Sequence, residues 1–119
     1  MFWNAAAARV YLIDDQAVAD APGVVVIDPT DNSVEAEISI GGETRGMGFF
    51  DDCNNFSVMQ ANGVLEQFDS NTNTSFCNLD LSSVANYKIQ IVTVAALGKM
   101  YVPRYVVDGE VAVVQAPSC

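Results

Sequence analysis

Histidine is absent from this chain of 119 residues, and basic residues are scarce. Five Lys and Arg stand against 15 Asp and Glu, a formal net charge of −10. Without histidine, the commonest general base, the Ser-His and Cys-His nucleophile pairs, and most zinc and haem ligand sets are excluded. The cations Arg9, Arg45, Lys88, Lys99 and Arg104 are scattered singly. No basic patch therefore exists to displace counterions from DNA or RNA, and an anionic membrane surface is excluded on the same ground. No apolar stretch approaches the roughly 20 residues that span a bilayer as a helix. Residues 1–8, Met-Phe-Trp-Asn-Ala-Ala-Ala-Ala, lack the positive start and apolar core of a secretory signal. They read as a truncated strand at a chain end.

Cysteine is also sparse. Cys53, Cys77 and Cys119 are odd in number and show no metal-ligand spacing. Cys53 and Cys77 fall near two turns on the same side of one repeat, so a disulfide between them and free buried thiols both remain open. The few lysines and the abundance of Asn, Thr and Ser point to a periplasmic or extracellular setting.

What is present is half apolar and 17% charged, a balance that folds rather than stays disordered. It also repeats. The strand-like triplet Val10-Tyr11-Leu12 returns as Phe56-Ser57-Val58 and as Met100-Tyr101-Val102. Each triplet leads to a glycine, Gly23, Gly63 or Gly109, that opens another apolar run. A period of roughly 40 to 45 residues built from short strands is the mark of propeller blades.

Val24 to Asp28 is a continuous apolar run of strand length and reads as a strand buried on both faces. Ser33 to Ile40 alternates with period two and reads as an outer strand with one wet face. The glycines of Gly46-Met47-Gly48-Phe49-Phe50 allow close backbone approach. Asn62-Gly63 between apolar runs predicts a hairpin. Pro103 predicts the end of a strand, or a bulge, after Val102. The chain is thus all-β. Ten strands form about two and a half antiparallel four-stranded blades, over residues 9–40, 46–81 and 88–115. A β-sandwich is the alternative fold. The first blade is expected to lack its inner strand and the last its outer one.

The stretch from Gly23 to Phe49 resembles a YVTN-type β-propeller repeat. There, a strand ending in Ile-Asp precedes a Thr-Asn-like turn, an outer strand, a Gly-rich loop ending Arg-Gly, and the next blade's inner strand. Thr44 stands where that family has proline. Arg9-Val10-Tyr11-Leu12, followed by a Val-Ile-Asp strand, is also similar to the heavy (propeller) subunit of quinoprotein amine dehydrogenases. That second resemblance implies an oxidoreductase fragment acting as scaffold, with the quinone in another subunit and no catalytic residue here.

Several residues are candidates for chemistry. Asp14 and Asp15, with Asp20, could offer oxygen ligands to calcium, but the EF-hand pattern is missing and a solvated loop accounts for them. The recurrence of Asp28-Pro29-Thr30-Asp31-Asn32 as Asp69-Ser70-Asn71-Thr72-Asn73 points to turn-capping rather than a metal site. Gly41-Gly42-Glu43-Thr44-Arg45-Gly46 lacks the Lys-Ser/Thr of a phosphate loop. Arg45 could hold an anionic ligand bidentately, or pair with Glu43 or Asp51. Trp3, Tyr11, Tyr101 and Tyr105 could stack on a ligand or pack in blade cores.

The expected function is a non-catalytic binding or scaffold module without a cofactor or a metal. Its loops 16–23, 41–46 and 82–88 would face a partner. Completion by self-association or by the remainder of a larger propeller is expected. One copy's N-terminal segment would pair with the open edge at Val111–Gln115 of another.

Overall fold

The computed structural model describes residues 1–18, 21–50, 54–81, 91–104 and 110–115. Among the described residues, eleven strands form three antiparallel sheets, each a meander of consecutive strands. The first sheet contains β1 (Phe2–Asn4), β2 (Arg9–Val18), β3 (Ala21–Asp28) and β4 (Ser33–Ser39). The second contains β5 (Thr44–Phe50), β6 (Asn55–Gln60), β7 (Val64–Asp69) and β8 (Thr74–Asp80). The third contains β9 (Val92–Val94), β10 (Lys99–Arg104) and β11 (Glu110–Gln115), with a 3₁₀ turn at Ala95–Leu97. The arrangement is that of partial propeller blades.

Three expectations are corrected. The first blade does not lack its inner strand, because Phe2-Trp3-Asn4 pairs with Tyr11-Val10-Arg9 as β1. That segment is therefore committed within its own sheet and is not available to complete the edge of β11. Asp14 and Asp15 also do not end their strand. β2 continues to Val18, absorbs an irregularity after Asp14, and resumes pairing at Val18 with Ala21. The span expected as a loop from residue 16 to 23 is mostly hairpin arm. Pro103 does not interrupt β10 either, which runs on to Arg104 in register with β11.

The turns follow from their side chains. Asp28 Oδ1 accepts from the Thr30 amide at 2.8 Å and the Thr30 hydroxyl at 2.6 Å, and Asp31 Oδ1 accepts from the Ser33 amide at 2.9 Å. One repeat later, Asp69 Oδ1 accepts from the Asn71 amide at 2.7 Å. Asn32, Asn54 and Asn73 take left-handed φ of 61°, 51° and 56°, a region that asparagine tolerates better than most residues. Asn62 Oδ1 accepts from the Val64 amide, and Gly63 sits at φ 91°.

Alternation along each strand gives every sheet two faces. In β2, β6 and β10 the outer residues of the repeated triplet point one way and the middle residue the other. Calling the face toward the preceding repeat upstream, Phe56 and Val58 are upstream in the second sheet. They bury against the downstream face of the first, made by Tyr11, Val24, Val26 and Ile38. Met100, Val102 and Val114 are upstream in the third sheet and bury against Phe50, Met59 and Leu65, downstream in the second. The first joint is aromatic. Tyr11 lies 5.3 Å from Phe49 and 5.0 Å from Phe56, and Phe56 stacks on Phe68 at 4.9 Å and 7°. Such pairs contribute roughly 0.5–1.5 kcal/mol each beyond area burial. Burial pushes the Tyr11 phenol above its ordinary value, and its hydroxyl beside Asn4 and Ser70 makes no hydrogen bond of good geometry.

The second joint is set by a glycine. A Cβ on Gly48 would stand 2.7 Å from Ile91 Cγ2 and 2.9 Å from Thr93 Cγ2, both on stiff β-branched side chains. Phe56→Ala should therefore cost about 3–5 kcal/mol by cavity formation, and Gly48→Val about 1–3 kcal/mol by forcing the sheets apart. Urea denaturation followed by far-UV circular dichroism measures both.

At the end opposite the links between sheets, Arg9 ties the first blade together. Its Nη2 donates to Glu35 Oε1 at 2.9 Å, its Nε also pairs with Glu35, and Asp28 lies 3.3 Å away. The Arg9 hydrogen bond lowers the Glu35 carboxyl from its ordinary value. The Thr30 hydroxyl and amide lower Asp28, and Ser33 lowers Asp31. Folded pKa values below the unfolded ones stabilise at neutral pH, and that contribution drains as pH falls through the folded values, below about 4. Melting temperature should fall in that window, and Glu35→Gln should make the fall shallower.

Candidate functional site

Two regions bring chemistry-bearing residues together. The first is the end of the molecule where sheets are linked. The link from β4 to β5 lies against the β6–β7 hairpin: the Ala61 amide donates to Glu43 O at 2.7 Å, and Gly42 leaves room for Gln60 Oε1. Gln60 is buried and donates to Glu66 Oε2 at 2.9 Å. The Ile40 amide donates to Pro22 O and the Leu81 amide to Gly63 O, so each link closes onto a hairpin at the same end.

Arg45 and Glu43 sit here, with Arg45 Nη2 3.0 Å from Glu43 Oε1 and both side chains about half exposed. Their pairing engages the guanidinium locally. Asp14 is exposed on β2 opposite Gly23, and Asp15 continues that strand. Asp20, Asp51 and the segment 82–88 lie outside the described residues. Among the described residues no group of three His, Cys, Asp or Glu side chains is placed to hold a metal. Cys77 is exposed on β8. Cys53 lies outside the described residues, and the expected pairing with it.

The second region was not singled out from the sequence. The innermost strands of the three sheets, β1, β5 and β9, line one groove of about 290 Å³. Phe2 and Trp3 come from β1, Met47, Gly48 and Phe49 from β5, and Val92 and Thr93 from β9, with Ile91 just before it. Trp3 is 55% exposed and Val92 54%. Phe49 faces the groove from beside the aromatic joint, 6.4 Å from Phe2. The lining side chains include the Thr93 hydroxyl and the Trp3 indole N–H, and none is ionisable. The groove can therefore accept a flat apolar group and offers no acid, base or nucleophile to transform it. Trp3 had been noted as a stacking candidate, and the glycines of β5 as a sign of close approach. Their convergence needs three repeats folded around a common axis, which no local spacing reveals. Tyr11, also a stacking candidate, is core. Tyr101 lies on β10, and Tyr105 is outside the described residues.

No protein-family model matches the chain, and no curated protein matches it either. Solved structures do match. The apo structure of AztD from Citrobacter koseri is similar over 79% of this chain, at a TM-score of 0.59 and 17% identity. The chain spans about a quarter of that protein, 26% of its length. At this identity the likeness supports the propeller-type fold and nothing finer.

Proposed function

We propose that the chain is a non-catalytic binding or scaffold module of propeller type, and that its contact with a ligand is the groove between β1, β5 and β9. The carrying observation is that Phe2, Phe49 and Thr93, from three different sheets, line that groove together, with Trp3 and Val92 at its rim. Apolar walls with few polar groups are what small-molecule sites generally present, and a volume near 300 Å³ suits a small planar guest. The lack of histidine supports a role without turnover.

The reading includes a YVTN-type repeat. Its support is the Gly23–Phe49 stretch, which runs through β3, an Asp/Asn turn, β4, the glycine link and β5 in the order that resemblance implies. It also includes a periplasmic or extracellular setting, supported by the scarcity of lysine.

The test is a titration with N-phenyl-1-naphthylamine, a neutral planar probe whose emission rises in apolar sites. Saturable binding is expected, with Phe2→Asp and Thr93→Arg each weakening it at least about tenfold while circular dichroism keeps the strand signal, as charge facing an apolar guest should. Binding that ignores both substitutions, or no saturable binding, refutes the groove as the site. Turnover of any substrate by the purified chain, abolished by one substitution, refutes the non-catalytic reading.

A further inference from the structure

The repeat equivalence exposes a mismatch at both ends of the arc. In the second and third sheets, the upstream residues of the triplet are fully buried: Phe56, Val58, Met100 and Val102. Their counterparts in the first sheet, Val10 and Leu12, are only partly covered. The same upstream face carries Val25 and Ile27, which pair with Leu12 and Val10 across β2 and β3. It also carries Trp3, which pairs with Val10, and Val34, which pairs with Ile27 past the bulge and is 57% exposed. Val24 to Ile27 is apolar at every position, the pattern of a strand covered on both faces, yet only Val24 and Val26 are covered.

The third sheet shows the converse. Its upstream face is packed, while its downstream face presents Tyr101, Pro103, Val111, Val113 and Val92, which pair across β9, β10 and β11. Val111 and Val113 are 57% and 56% exposed. Each end face carries a contiguous apolar patch, bordered by Asp14 and Glu37 on the first sheet and by Lys99 and Gln115 on the third. Contiguous apolar area of this kind marks an association surface.

We infer that these two faces are the halves of a third joint, made between copies of this chain. The downstream face of one copy's third sheet packs on the upstream face of another's first sheet. The argument is continuity with the joints already described. Within the chain, a downstream face meets an upstream face twice, and the direction is the same both times. A chain that carries an unfilled downstream face at one end and an unfilled upstream face at the other is complementary to itself, head to tail. Such heterologous contacts form closed rings when the rotation permits. Two copies bring six sheets, within the roughly four to eight at which propellers close. The charge of −10 opposes association, but screening over about 8 Å at physiological salt leaves apolar burial in control. Association therefore runs through sheet faces, and not through β1 completing a strand edge.

The experiment uses sedimentation velocity of the purified chain at micromolar concentration and physiological salt, with two substitutions on opposite faces. Val113→Lys alters only a residue already exposed on the downstream face. Leu12→Lys alters the upstream face, and Val34→Lys, on the same face and already exposed, replaces it if circular dichroism shows loss of strand signal. Wild type should sediment at twice the monomer mass or more, and each variant alone as a monomer. An equal mixture of a downstream and an upstream variant should recover a dimer held by its one intact joint. Wild type that stays monomeric, as expected if the covering blades belong to a longer polypeptide, overturns the inference. So does association that survives both substitutions, or a mixture that remains monomeric.

Discussion

Each sheet in this molecule needs apolar cover on two faces, and that need governs everything else. Sheets of this kind are too thin to hold a core of their own. Their stability comes from contact between the downstream face of one and the upstream face of the next. At the first joint, the rings of Tyr11, Phe49, Phe56 and Phe68 form a continuous aromatic run between sheets. At the second, aliphatic and Met side chains meet, and Gly48 lets β9 come close enough to touch. The period-two alternation of the strand triplets decides which side chain serves which joint. A one-residue slip in β6 would take Phe56 and Val58 out of one joint and put them into the other.

Much of this was legible in the residues. The recurrent triplets and glycines located the second strands and the hairpins that follow them. The Asp/Asn clusters marked turns whose hydrogen bonds now explain the recurrence. Asn62-Gly63 marked the hairpin between β6 and β7. What escaped had three causes. β1 is a three-residue strand, and its pairing is legible only once Arg9-Val10-Tyr11 is known to be its neighbour. The extension of β2 through Asp14 and Asp15 escaped because polar residues near an exposed hairpin tip look like a loop when read locally. The groove escaped for a third reason: its walls are distributed over three repeats, and only folding brings them together.

That distribution bears on how such a site could change. Each repeat supplies two or three residues from or beside its innermost strand, and Met47, Gly48 and Phe49 serve the joints as well. Substitution at Trp3 or Val92 alters the rim of the groove without touching Phe56 or Met100, so binding can drift while the scaffold is held. The fold alone then says little about the guest, as is general for architectures that host many functions.

The short asparagine and aspartate turns carry a consequence for how the chain reaches this state. Within each sheet every strand pairs with a neighbour in sequence, and the β3–β4, β6–β7 and β7–β8 turns are closed by side chains only two residues away. Contacts within a sheet are therefore close in sequence, and the entropy of closing long loops is largely avoided. Each meander can organise from its own hairpins, and docking of one meander on the next becomes a separate, later event. Repetitive architectures of this kind behave as coupled neighbours rather than one indivisible unit. Within one copy the middle sheet, which packs on both its neighbours, is the natural last element to come apart.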